Sequence, residues 1–211
     1  MNSYYPVSLN LSSKKCTVIG GGPVALRKIK TLIKTNACIN VITPQAETEI
    51  IELANQGLIN LIHEEYQPGL IENSFLVIAA TDNRQVNNTI SRHCHSLNIL
   101  VNVVDNLAES SFIVNSAVSQ GDLTITISTN GKSPALAAKI REDLEMQYGP
   151  EYAQLLQLLA EIRETAKLEI ENEERRNNFL RKIVRSDILD LIKNVGIEEA
   201  KERVKKCLLS Y

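Results

Sequence analysis

Gly20, Gly22 and Ala25, within VIGGGPVALRK at residues 18–28, fill a G-x-G-x-x-A frame between a short apolar run and a stretch of good helix formers. The chemistry open to such a frame is phosphate binding. Gly20 permits a tight turn, Gly22 lets the backbone approach a pyrophosphate, and Ala25 lets helix and strand pack closely. The helix that follows presents unpaired N–H groups and a partial positive charge at its start. Pro23 has no N–H to lose and suits the first turn. A glycine-rich turn that serves only close packing is the alternative. The flanking pattern favours a nucleotide, because an apolar run precedes the frame, a helix follows it, and a second apolar run comes about 20 residues on.

Where that second run ends, the Asp or Glu that commonly holds the ribose hydroxyls of NAD is absent, and Thr43, Pro44 and Gln45 stand instead. Gln45 or the backbone at Pro44 is left to hold the ribose, and the residues alone leave NAD against NADP open. Asp82, in AATDN, reads equally as part of a nucleotide site or as the N-cap of the next helix. Asp105 ends VNVVD, at the carboxyl end of a fifth strand, on the side of an open α/β sheet where ligands bind. It is either a carboxylate that accepts a proton or hydrogen bonds from a substrate, or the residue that closes a turn with Asn106.

A second polar cluster lies in STNGKSPALAAKIRE, residues 128–142. Ser133 as N-cap and Pro134 at N1 open a helix whose free N–H groups face the loop, with Lys132 beside them. Ser128, Thr129 and Asn130 add donors, and Asn115 and Ser116 on the preceding strand extend the set. The plainer reading is a solvated loop before a well-capped helix. His93 and His95, two apart on a helix, point in different directions, and His63 ends a strand, so no metal site is expected. Cys16, Cys38, Cys94 and Cys207 lack zinc or redox spacing and read as buried thiols.

These residues need a particular scaffold. CTVIG, CINVIT, LINLIH, FLVIAA and ILVNVV are aliphatic runs without strict alternation, separated by helix-compatible stretches, which is a βαβ rhythm with strands buried on both faces. After Asp105 the pattern changes: SSFIVNSAVS and DLTITIST, joined across Gln120-Gly121, read as an antiparallel hairpin, and SPALAAKIREDLEMQY as a helix. Tyr148, Gly149 and Pro150 end that helix. Beyond them Tyr152, Leu155, Leu156, Leu159, Ile162 and Ala166 mark one helical face, and three more helices are expected through RRNNFLRKIVR, around 187–193, and from Ile197 to Leu209.

The bulk numbers bound the class. At 211 residues, 44% hydrophobic and 4% aromatic with no Trp, the chain can build one or two aliphatic cores. Its 23 Lys plus Arg against 25 Asp plus Glu leave a net charge of -2, so no global basic field draws it to nucleic acid or anionic lipid. A small-molecule partner is favoured. No signal-like start and no run of 18 apolar residues is seen, so no membrane association and a cytoplasmic setting are expected.

VIGGGPVALRK, AATDN, VNVVD, SSFIVNSAV and ISTNGKSPALAAKIRE together, in this order and spacing, resemble the precorrin-2 dehydrogenase family, the NAD-dependent enzymes of sirohaem synthesis. The resemblance is strong over about residues 1–150 and general over the helical tail. It implies an α/β fold: a Rossmann-type parallel sheet domain over 1–110, a β-hairpin and helix region for dimerisation and substrate binding over 111–150, and a small all-helical domain over 151–211. It implies oxidation of precorrin-2 to sirohydrochlorin with NAD as cofactor, in a homodimer; no attached methyltransferase segment is seen, so the enzyme is expected to stand alone. Carried across by position, the nucleotide contacts fall on Gly20, Gly21, Gly22, Pro23, Val24, Pro44, Gln45, Thr81 and Asp82, and the candidate catalytic aspartate is Asp105. The substrate, a macrocycle with eight carboxylates, would meet Asn115, Ser116, Ser128, Thr129, Asn130, Lys132 and Ser133, of which Ser128 matches a family serine at the tetrapyrrole pocket. Some members also insert Fe²⁺ into sirohydrochlorin, so a chelatase, or a non-enzymatic NAD-sensing dimer, stays open.

Overall fold

A computed structural model describes residues 4–104 and 106–209 of the chain. It divides into two compact units, Met1–Val114 and Asn115–Tyr211. In the first, β1 (Lys15–Ile19), β2 (Cys38–Ile42), β3 (Asn60–Ile62), β4 (Leu76–Ala79) and β5 (Leu100–Val103) form one parallel sheet in the order β3-β2-β1-β4-β5. Helices α1 (Pro23–Ile33), α2 (Thr48–Asn55) and α3 (Arg84–Ser96), with a 3₁₀ turn at Pro68–Ile71, make the crossovers. The five aliphatic runs are thus the five strands of a Rossmann-type sheet.

The pleat explains why those runs lack alternation. In β4, Leu76 and Ile78 pack with Val18, Ala25, Ile29 and Ile50 on the face covered by α1 and α2. Val77 and Ala79 pack with Ile19, Ile71, Ile90 and Cys94 on the face covered by α3 and the 3₁₀ turn. Both faces of a central parallel strand are core, so every position selects an apolar residue. Two polar side chains enter this core only as a pair: Thr17 and Ser74 share a hydrogen bond of 2.8 Å between their buried hydroxyls.

Only part of SSFIVNSAVS forms the expected strand. The 110–115 portion carries no strand, and its start, Ser110 to Phe112, covers the open edge of β5 instead. The hydroxyls of Ser110 and Ser111 accept from the amides of Val103 (2.9 Å) and Val101 (2.8 Å), and Asn102 Nδ2 donates to the Phe112 carbonyl at 3.1 Å. Serine hydroxyls satisfy backbone donors that an edge strand would otherwise leave exposed.

The expectation of four buried thiols is corrected for two of them. Cys16 and Cys94 are buried, but Cys38 is exposed and Cys207 only half-buried. Cys38 opens β2 before its neighbour begins, since β3 pairs only with Asn40–Ile42.

In the second unit β6 (Ser116–Gln120) and β7 (Leu123–Ile127) form an antiparallel hairpin with Gln120 opposite Leu123. Gly121 turns it at φ +58, against Ala153. Five helices follow: α4 (Pro134–Gln147), α5 (Glu151–Glu169), α6 (Glu173–Val184), α7 (Ile188–Asn194) and α8 (Ile197–Leu209). Leu158, Ile162 and Ala166 of α5 pack with Phe179, Ile183, Ile188, Ile192, Ala200 and Val204. The helix breaks fall at Gly149-Pro150, at Asn172, whose side chain caps Arg175 N–H at 2.9 Å, and at Gly196, held at φ +134. No helix among the described residues is long and apolar enough to cross a membrane.

Candidate functional site

The loops that leave the carboxyl ends of β1, β2, β3 and β4 enclose a cleft of about 1050 Å³ in the first unit. Gly20, Gly21, Gly22, Pro23, Val24, Pro44, Gln45, Thr81 and Asp82, the nine positions expected to contact nucleotide, all line it. Parallel strands bring their following loops to one end of the sheet, so residues up to 62 positions apart in the chain meet there.

Each glycine of the β1–α1 turn has its own constraint. Gly20 sits at φ +124, a conformation costly for any residue with a Cβ, and a Cβ there would strike the Ala80 carbonyl. Gly21, which the motif leaves as a variable position, is equally restricted: a Cβ would collide with the Gln45 carbonyl and come within 2.7 Å of Thr43 Oγ1. Around Gly22 a Cβ would meet nothing within 4 Å, so the space above that residue is open. This is the cradle a pyrophosphate needs, closed by protein on two glycines and empty over the third.

Helix α1 starts on Gly22 with no side-chain cap, Pro23 in its first turn and no acidic residue there; Leu26 N–H makes the first helical bond, to the Gly22 carbonyl at 3.0 Å. The N–H groups before it have no side-chain cap, the condition under which a helix start can hold an anion. Ala25, fully buried, brings the helix close against the sheet.

The opposite wall is the loop after β4. Asp82 does not cap α3: Asn83 does, its Oδ1 accepting from Gln85 N–H (2.9 Å) and Val86 N–H (3.2 Å). That corrects one of the two readings of Asp82, which lines the cleft. Asn87, 6% exposed, locks the loop from behind, with Nδ2 donating to the Thr81 carbonyl at 2.9 Å and Oδ1 accepting from the Thr81 hydroxyl at 2.7 Å. In the sequence Asn87 shows only as a polar residue on the apolar face of α3.

Thr43, Glu64, Glu65 and Tyr66 also line the cleft without having been expected there. Thr43 Oγ1 donates to the Gln45 carbonyl at 2.6 Å, which sets the TPQ turn. Tyr66 Oη shares a hydrogen bond of 2.8 Å with His93 Nδ1, and burial, with Cys94 nearby, pushes the phenol up to about 12, so it stays protonated. Among the described lining residues there is no Lys or Arg, so an anion held there would rest on backbone N–H groups.

Asp105 lies outside the described residues. The substrate candidates belong to the second unit, where Ser116 pairs with Ile127 and so sets Asn115, Ser116 and Ser128 at one end of the hairpin. From Ser128 to Ser133 the chain makes a compact turn through Asn130 (φ 49) and Gly131 (φ 75). The Thr129 hydroxyl donates to the Ser133 carbonyl and accepts from its N–H, both at 3.2 Å, and the Ser133 hydroxyl caps Leu136 N–H at 3.2 Å. Those two side chains hold the turn, which leaves Ser128, Asn130 and Lys132 exposed. Asn115 Oδ1 is buried with no hydrogen-bond partner among the described residues.

Comparison with known proteins fits this geometry. Residues 7–116 match the family described as "Putative NAD(P)-binding", and residues 120–147 match "Sirohaem biosynthesis protein central". The chain is 33% identical over 97% of its length to "Siroheme synthase" of Pseudoalteromonas translucida (strain TAC 125), covering 43% of that protein. It is 31% identical to that of Saccharophagus degradans, over 96% of the chain and 44% of the relative. It thus spans less than half the length of these curated relatives. A solved structure, "SirC, precorrin-2 dehydrogenase", superimposes with a TM-score of 0.78 at 28% identity, over 96% of this chain and 100% of that one. By the match across its whole glycine-cradled sheet, the chain belongs to this NAD(P)-binding family.

Proposed function

We propose that the protein is an NAD-dependent dehydrogenase that oxidises precorrin-2 to sirohydrochlorin in sirohaem synthesis. One observation carries the reading: a precorrin-2 dehydrogenase shares this architecture over nearly the whole of both chains. The cleft fits the cofactor, since Gly20 and Gly21 are closed by protein while Gly22 leaves open space beside uncapped N–H groups.

Gly22, Val24 and the start of α1 would hold the pyrophosphate, and Pro44 and Gln45 the adenosine ribose. Thr81, clamped by Asn87, and Asp82 form the facing wall. Bound NAD⁺ supplies the hydride acceptor. Precorrin-2 loses two hydrogens in becoming sirohydrochlorin, one as hydride and one as a proton, and Asp105 is assigned the proton. The exposed Ser128, Asn130 and Lys132, with the N–H groups at the start of α4, are assigned the carboxylates of the macrocycle. Asn115, Ser116, Thr129 and Ser133 complete and shape that surface. The 111–150 region is proposed to join two copies in a homodimer, and the setting to be cytoplasmic.

Asp105→Ala in the full chain tests the assignment of roles. Anaerobic turnover of precorrin-2 should be lost while NAD⁺ binding persists. Turnover retained in the folded variant would remove Asp105 from the mechanism.

A further inference from the structure

Dinucleotide-binding sheets commonly carry a carboxylate at the end of β2 for the adenosine ribose, and β2 here ends in Thr43, Pro44 and Gln45. The register of the sheet supplies carboxylates from elsewhere. Strand β3 runs parallel beside β2, with Ile42 opposite Ile62, and Thr43 N–H donates to the Ile62 carbonyl at 3.1 Å. The chain then turns, Glu64 N–H donating to the same carbonyl at 3.0 Å. That places Glu64 and Glu65 beside the TPQ turn, and both line the cofactor cleft with Pro44 and Gln45. Both are exposed, and neither side chain has an ion pair or hydrogen bond among the described residues.

We infer that Glu64 and Glu65, delivered by β3, replace the missing β2 carboxylate and make the cleft select NAD over NADP. The inference rests on the dinucleotide reading of the cleft. A carboxylate accepts hydrogen bonds from the 2′- and 3′-hydroxyls of the adenosine ribose and repels a 2′-phosphate. No Lys or Arg among the described lining residues offsets that repulsion, whereas sites that accept NADP place an Arg there. The Glu64–Glu65 pair therefore determines specificity without touching the reacting atoms.

Equilibrium binding of NAD⁺ and of NADP⁺ to the full chain, by titration calorimetry without tetrapyrrole, tests this. The wild-type protein should bind NAD⁺ at least tenfold more tightly than NADP⁺. Glu64→Gln and Glu65→Gln singly should narrow the ratio, and together should cut it about tenfold or more, with NAD⁺ weakened and NADP⁺ strengthened. Glu52→Gln removes the same charge from the exposed side of α2, outside the cleft, and should leave the ratio unchanged. An unchanged ratio in the double variant, an equal shift in the Glu52 control, or no preference in the wild type overturns the inference. Binding of neither dinucleotide by the folded wild type overturns the cofactor reading beneath it, which is a different result.

Discussion

Glu47 N–H donates to the Gly21 carbonyl at 2.9 Å, and this bond ties the turn after β1 to the turn after β2. The two loops pack so closely that Gly21 has no room for a Cβ beside the Gln45 carbonyl. The turn after β1 and the turn after β2 are thereby held together as one wall of the cleft. Neighbouring glycines in it do separate work.

Gly21→Ala and Gly22→Ala should fail in different ways. The first forces a methyl into the Gln45 carbonyl and should destabilise the fold by about 1–3 kcal/mol. The second meets no protein atom within 4 Å and should cost the fold only about 0.5–1 kcal/mol as a poorer N-cap, while its methyl obstructs the pyrophosphate. Thermal unfolding alongside NAD⁺ titration separates them. Gly22→Ala should keep most of its stability and lose at least tenfold in affinity.

Asn87→Ala removes the clamp behind Thr81. It leaves the Thr81 carbonyl without its side-chain donor in a nearly buried place, with an expected loss of about 1–3 kcal/mol. Asn83→Ala removes only the cap of α3, expected at about 1 kcal/mol. Chemical denaturation of the two variants checks the order, and the Asn87 variant should also bind NAD⁺ more weakly.

Burial pushes the Cys16 thiol up to about 11, with Cys38 nearby adding to it, and the Cys94 thiol up to about 12, from an ordinary 9.0. At pH 8 an alkylating reagent should modify exposed Cys38 and leave Cys16 and Cys94 untouched until the protein is unfolded. Because the folded pKa values are raised, the stability these two thiols contribute is complete below about 9. It is lost as pH rises from there towards 11 to 12. An alkaline unfolding series reads that window, and modification of Cys94 in the native protein at pH 8 would contradict the buried placement.

What the residues reveal on their own depends on whether the constraint is local. The strands at Thr17–Ile19 and Leu76–Ala79 are plain because both faces of a parallel sheet are core, and Gly20 because only a positive φ turns the chain there. The helical tail is plain because Gly149, Pro150 and Gly196 punctuate it. The packing that forbids a Cβ at Gly21 and the place of Glu64 in the cleft are not legible locally, because each depends on a loop that the sheet brings alongside, whereas Asn87, six residues from the Thr81 it clamps, shows only as a polar residue on the apolar face of α3. Ser110 and Ser111 misled for the same reason: a run with strand character binds the edge of β5 through its hydroxyls rather than by pairing. Asn83 and Asp82 are both good caps, and only the position of the first turn of α3 decides between them.

The proposed oxidation is tested by supplying precorrin-2 anaerobically with NAD⁺ and recording absorbance for sirohydrochlorin and reduced nicotinamide together. Both should form in equal amounts, and faster with NAD⁺ than with NADP⁺. A folded protein that binds NAD⁺ yet forms neither product would contradict it.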